Sequence, residues 1–286
     1  MKSIVVLAVL PLLVTVFAAE ASDLVCSEPG QFDRAVSAES VTLVRIQTGS
    51  GILRVIGDDA LDEIRVSGRA CAREDDLLRD FGLDLEPVDS VLNLSDRLPE
   101  GANHPEAAFA KFHLTLHVPA SLALEIETER EPVHITNVGS LKIDKRRGEL
   151  NLDGVAGSAR VRSMQGDLTI RNITGDLTLE RDRGETIVEN VGGNVDVLRA
   201  ERGNSLFRNV GGNLTISSAR GNIAAVGVGG NLVVRDRQEG DLIYQQVSGM
   251  VDVDEPTGIP EWQLIEEAED DEEDEGRGPP HQRHDS

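Results

Sequence analysis

Gly166-Asp167-Leu168-Thr169-Ile170 and, nine residues on, Gly175-Asp176-Leu177-Thr178-Leu179 decide the fold. Each is a glycine followed by a run in which apolar and polar side chains alternate, the period of a strand with one buried face. The unit recurs in both directions. One phase of glycines, Gly148, Gly166, Gly184, Gly203, Gly221 and Gly240, is spaced by 18, 18, 19, 18 and 19 residues. A second phase, Gly139, Gly157, Gly175, Gly193, Gly212, Gly230 and Gly249, lies about nine residues out of step. A fixed period of this length is a repeat architecture. Two short strands per period of about 18 residues predict an all-β chain wound as a parallel β-solenoid.

Alternation assigns the side chains. Counting from each first-phase glycine, the second and fourth residues point inward, as in Leu150 and Leu152, Leu168 and Ile170, Ser205 and Phe207, and Leu242 and Tyr244. The second strand adds pairs such as Leu177 and Leu179 or Val195 and Val197. A single coil buries too few of these to offset the conformational entropy of ordering itself, so the coils are stable only when stacked. The sixth position is Asn137, Gly154, Asn172, Asn190, Asn209, Gly227 and then Gln246. Asn and Gly share tolerance of positive φ, which predicts a left-handed corner there, with a stacked asparagine ladder as an additional reading.

The N-terminus sets the compartment. Met1-Lys2, an apolar run from Ile4 to Ala19 and the small-x-small site Ala19-Glu20-Ala21 read as a secretory signal peptide over residues 1–21. Val25 before Cys26 is not the small residue that a lipoprotein cysteine would follow, and no other segment is apolar enough for a membrane span. Cys26 and Cys71 are the only cysteines, and in an oxidising compartment they are expected to form a disulfide. Beyond residues 22–40, an N-terminal segment, the β-domain is expected over 41–255, with regular repeats from 131 to 254. Residues 256–286 form an acidic tail in which Glu266 to Glu275 holds nine acids in ten residues, a composition expected to be disordered. The net charge is −23, with −9 falling between Glu261 and Ser286. Such acidity, with export, argues against nucleic acid and against unaided docking on anionic lipid.

Leu116-His117-Val118-Pro119-Ala120, then Leu122 to Thr128, then the glycine-phased repeats, resemble the bacterial "putative adhesin" family over roughly Val41 to Asp254. The resemblance implies an exported envelope protein built from β-strand repeats, and it brings no catalytic residues with it. Arg130 departs from the pattern by standing where the glycine phase calls for Gly.

No nucleophile elbow, zincin motif or phosphate-binding loop is present, so no enzyme activity and no cofactor are expected. With one Trp, one Tyr and six Phe, the chain lacks the aromatic platforms on which sugars stack. His113 and His117 share a strand face without a clear third ligand, and Asp196 is followed in register by Thr215 and Val233, so no acid column is expected to bind calcium. Asp176, Asp196, Arg160 and Arg162 are assigned to the solvated outer face of the second strand.

The first strand differs. Its third position runs Asn151, Thr169, Ile187, Leu206, Ala224 and Ile243, and its fifth adds Val226. Ile187, Leu206, Ala224, Val226 and Ile243 therefore predict an outward apolar stripe, covered either by Trp262, Leu264 and Ile265 of the same chain or by a partner. The functional expectation is a non-enzymatic envelope protein, an adhesin or interaction scaffold. It would have a protein or envelope-surface partner or associate with itself, with the periplasm favoured over the cell surface or secretion. The alternative is a carbohydrate-binding or carbohydrate-active solenoid.

Overall fold

The computed structural model describes residues 25–49, 51–100, 110–130 and 132–254. The expected signal peptide, the acidic tail and Trp262, Leu264 and Ile265, one of the two expected covers of the stripe, lie outside the described residues.

Two sheets face each other across a single apolar core, one of 12 strands and one of 13 among the described residues. Successive strands of the repeats alternate between them, so each coil adds one strand to each sheet, and the strands stack in parallel and in register. In the first sheet, Leu53 pairs with Val133, and the column continues through Leu150, Leu168, Thr186, Ser205, Ile223 and Leu242. In the second, Leu124, Leu141, Ala159, Leu177, Val195, Leu214, Leu232 and Val251 form the matching column. These are the inward positions that alternation assigns, and nearly all are fully buried. The winding is the expected parallel β-solenoid, of about seven turns.

The glycine phases have two separate causes. First-phase glycines turn at positive φ, +130° at Gly166, where a Cβ would lie 2.0 Å from the Gly148 carbonyl oxygen of the preceding coil. Second-phase glycines do not need that conformation. At Gly193 the constraint is close approach, because a Cβ would lie 2.3 Å from the Asp176 carboxylate and 2.8 Å from the Gly175 backbone. The two 19-residue spacings have a cause that the sequence does not display. Each contains a β-bulge, with Leu198 extra between Val197 and Arg199, and Gln238 extra between Arg237 and Glu239.

The sixth-position corner is left-handed as expected. Asn137, Asn172, Asn190, Asn209 and Gln246 have φ between 53° and 60°, and Gly154 and Gly227 are also positive. The side chains stack: Asn209 donates to Asn190 (2.9 Å), Asn190 to Asn172 (3.0 Å) and Asn172 to Asp153 (2.6 Å). Two further ladders run at the other corners. The side chains of Asp176, Asn194, Asn213 and Asn231 each accept the backbone N–H one coil on, at 2.7–2.9 Å. Asp167 and Asn222 do the same for Glu185 and Asp241. Asp176 therefore does not project from the strand face but sits at a corner, satisfying a backbone donor that the turn would otherwise leave open.

Charge is also buried, which the sequence reading missed. Lys145 and Arg181 lie fully inside the second sheet, in the column Lys145, Ser163, Arg181, Ala200. The Arg181 guanidinium donates to the carbonyls of Gly184, Arg202 (2.5 Å) and Gly203 (3.4 Å) and reaches Ser205 Oγ at 3.4 Å. Three turn carbonyls converge on one planar donor, and the inward Thr186 and Ser205 are small and polar where that head group lies. Burial lowers the Arg181 pKa from its ordinary value, while the carboxylates of Asp167 and Glu185 support its charge.

The two ends differ. At the N-terminal end, Glu63–Ala72 runs antiparallel to Ala110–Pro119 and itself carries Val25–Cys26 and Arg34–Ser37. Gly82–Val88 folds back antiparallel on Val91–Arg97, after a short 3-10 helix at Asp75–Asp80. Phe112 packs edge-on against Phe32 and Phe81, with centroids 4.8 and 5.6 Å apart. At the C-terminal end, Leu242 is only half-buried and Tyr244 is 47% exposed, so Tyr244 does not belong to the closed core that its inward position predicts. Its strand is the last of its sheet among the described residues.

Candidate functional site

The outward apolar residues are brought together by parallel register. Ile187 pairs with Leu206, Leu206 with Ala224, and Ala224 with Ile243, forming one column across the strands Thr186–Val191, Ser205–Val210, Ile223–Val228 and Leu242–Val247. Neighbouring members are about 4.8 Å apart. Ile187, Leu206, Ala224 and Val226 are half-buried by their neighbours, and Ile243 is 60% exposed. Toward the N-terminal end the same column is polar, through Thr169, Asn151, His134 and Arg54. Asn151 Nδ2 lies 3.4 Å from His134 Nδ1. One face of the solenoid thus changes from polar to apolar along its axis.

Val226 belongs to the adjacent outward column, Asp153, Arg171, Glu189, Arg208, Val226 and Gln245. Glu189 is held between Arg171 at 2.8 Å and Arg208 at 3.0 Å. Hydrogen bonds from Arg171 and then Arg208 lower its pKa from the ordinary carboxylate value. This ladder is exposed and contributes little to stability. It borders the stripe and ends where Val226 begins.

The outer face of the second sheet is charged and internally paired. Glu125 accepts from Lys142 at 2.6 Å and Arg45 at 3.0 Å, and Arg162 lies between Asp144 (3.6 Å) and Glu180 (3.7 Å). Leu198 stands out of this face at 48% exposure because it is the extra residue of the bulge. An open groove follows the left-handed corner and is lined by Asn137, Asn172, Ala156 and Thr174 and, farther along, by Asn190 and Asn209. No aromatic side chain lines it.

Groups that could do chemistry are dispersed. Among the described residues, no three His, Cys, Asp or Glu side chains gather where a metal ion could be held. His113 Nδ1 accepts the Ile52 N–H at 3.1 Å, and the strand pairing sets His113 opposite Arg69 and His117 opposite Arg65. Asp96, which the sequence reading did not single out, accepts the Gly49 N–H at 3.0 and 3.2 Å. Burial raises its pKa to about 6, outweighing those hydrogen bonds. It satisfies the Gly49 backbone donor just after the strand Leu43–Thr48.

Cys26 and Cys71 form the expected disulfide, directly opposite each other on antiparallel strands. No helix among the described residues is long and apolar enough to cross a membrane.

Together these features define a parallel β-solenoid with one disulfide-tied, closed end and a face graded from polar to apolar. No family model matches the chain. No curated protein matches it either. Among solved structures it is similar to a putative cell adhesion protein from Clostridium sporogenes, at 11% identity over 79% of this chain and 99% of that one, with a TM-score of 0.36. It is also similar to a putative adhesin from Parabacteroides distasonis, at 14% identity over 82% and 98% with a TM-score of 0.27. A putative adhesin from Bacteroides fragilis gives 12% identity over 78% and 96%, with a TM-score of 0.26. The functional reading rests on this chain's own surface.

Proposed function

We propose that this protein is a non-enzymatic, exported cell-envelope protein, an adhesin or interaction scaffold whose solenoid presents the apolar half of its first sheet to a protein partner. The observation that carries the reading is the in-register column Ile187, Leu206, Ala224 and Ile243, with Val226 beside it. Contiguous apolar side chains turned outward on one face are a mark of docking surfaces. The rigid stack holds these side chains at fixed spacing, so a partner strand or sheet meets a pre-ordered surface and little entropy is lost in ordering it. The Cys26–Cys71 disulfide supports an oxidising compartment, and the signal-like N-terminus supports export to it. Within the envelope, the periplasm is the favoured location.

Cell fractionation of the tagged native protein, with protease added to intact cells, tests the compartment. Protection until the outer barrier is opened is the expected result and fits a periplasmic scaffold. Cleavage in intact cells would move the protein to the surface and make adhesion its role. Recovery with the cytosolic fraction would overturn export altogether.

A further inference from the structure

The polar half of the first sheet gathers cations in a strongly acidic chain. The strands Glu63–Ala72, Ala110–Pro119, Leu53–Asp58 and Val133–Val138 are successive neighbours in that sheet. Together they hold four Lys and Arg against two carboxylates, although the net charge of the chain is −23. Arg54, Arg65 and Arg69 are exposed, while Val55, Ile64, Val66 and Ala70 beside them in sequence are buried. All three histidines among the described residues lie on the same outer face. His113 is opposite Arg69, His117 is opposite Arg65, and His134 pairs in register with Arg54.

The two carboxylates are already engaged. Glu63 accepts from Arg65 at 2.5 Å, and Asp58 accepts the Ala60 N–H at 2.9 Å. Arg54 and Arg69 make no ion pair or hydrogen bond among the described residues. Farther along the solenoid, Arg171, Arg208, Arg162 and Arg199 each lie beside a carboxylate. An anion reaching the N-terminal patch therefore meets two guanidinium forks with no partner to displace.

Spacing narrows the choice of anion. Arg54 stands two strands from Arg65 and Arg69 and is offset from each by two residues. Strand spacing and rise then place the three arginines roughly 12 Å apart. They cannot converge on one phosphate or carboxylate, so they suit a partner that carries anionic groups at intervals. A planar anionic membrane would bring the surrounding acidic chain within a Debye length of about 8–10 Å and be repelled by it. A protein partner would call for apolar or aromatic anchors, and Phe112, the one Phe, Tyr or Trp on these strands, is buried. A narrow extended polysaccharide touches the patch alone. Arginine takes its carboxylates or sulfates through a planar fork, with no need of aromatic stacking.

We propose that the outer face around Arg54, Arg65 and Arg69, with His113, His117 and His134 among them, binds a linear acidic polysaccharide. The site is separate from the apolar column and stands whether or not that column has a partner. Five strand steps, through His134, Asn151, Thr169 and Ile187, lead from Arg54 to Leu206. The rigid stack thus sets a glycan site and a protein contact about 24 Å apart on one face.

Polygalacturonate in calcium-free buffer is the probe, titrated into the full exported chain and followed by calorimetry, with dextran as the neutral control. Polygalacturonate should bind, several-fold more weakly at physiological salt than at low salt, and dextran should not bind. Arg54→Gln with Arg69→Gln should weaken binding by about ten-fold or more. The melting temperature should stay unchanged, because neither side chain has a partner in the fold to lose. Arg171→Gln with Arg208→Gln should leave the affinity as it is. The proposal is overturned if polygalacturonate does not bind, if dextran binds equally, or if the Arg54, Arg69 variant binds as the native protein does. Binding of phosphatidylglycerol vesicles or poly-glutamate in place of the polysaccharide also overturns it, and assigns the patch to a membrane or an acidic protein.

Discussion

Gly166→Ala should destabilise the array by about 3–5 kcal/mol. The added Cβ would sit 2.0 Å from the Gly148 carbonyl oxygen at a φ of +130°, so neither backbone can yield without breaking the stack. The next coil repeats the constraint, with a Cβ at Gly184 lying 2.2 Å from the Gly166 carbonyl, which prevents the strain from being passed along. In a solenoid each coil contacts only its neighbours, so the break should be local. Hydrogen exchange should show the coils after Gly166 opening at lower free energy while the disulfide-tied end keeps its protection. Asn190→Gly is the control. Its φ of 60° suits glycine, and the loss of the ladder hydrogen bonds to Asn172 and from Asn209 is offset by relief of the left-handed conformation. It should change stability by no more than about 1 kcal/mol. Equal effects of the two substitutions would contradict the distinction between a corner with no room for a Cβ, at Gly166, and one that only requires positive φ, at Asn190.

Cys26→Ser with Cys71→Ser should cost about 2–4 kcal/mol, since the bridge spans 45 residues and closes a loop that the unfolded chain must otherwise order. The loss should be felt at the N-terminal closure. Cys26 lies on a two-residue strand paired to Glu63–Ala72, and the neighbouring Ser27 exchanges hydrogen bonds with Ala70 at 2.8 and 3.2 Å. Phe32 reaches the aromatic cluster from this tether. Limited proteolysis of the double variant should therefore cut first between residues 27 and 40, and reduction of the native protein should reproduce the pattern. An unchanged urea midpoint under reducing conditions would show that the closure stands without its bridge.

What was legible in the sequence and what was not divide along physical lines. Features that repeat with the coil were readable, because stacking demands the same residue type at the same position: the glycine phases, the inward columns, the left-handed asparagine corner and the outward stripe. Features that occur once, or that join distant segments, were not. Phe32, Phe81 and Phe112 share no local period, and only the antiparallel closure brings them together. Leu198 and Gln238 looked like ordinary strand residues, since a bulge is visible only against the register of the next strand. Arg181 shows how two signals can conflict. Strict alternation from Leu177 and Leu179 points it inward, but its charge suggests solvent, and the carbonyls that settle the matter lie on turns 3, 21 and 22 residues away. The Asp and Asn residues that follow many of the glycines were in plain view, yet they were read as strand starts and not as acceptors for the coil beyond. For the candidate site, the column from Asn151 to Ile243 and its register were legible, while its continuation through His134 and Arg54 and the flanking Arg171–Glu189–Arg208 ladder emerged only from the pairing.

The most direct test of the proposed function is the double variant Leu206→Ser, Ile243→Ser, compared with the native protein by crosslinking in intact cells and by sedimentation of the purified chain. Both side chains face outward, so the melting temperature and the circular dichroism should be unchanged while the crosslinked envelope partner, or the self-associated species, disappears. Identical crosslinks and identical association in the native and variant proteins would contradict the assignment of this face as the contact surface.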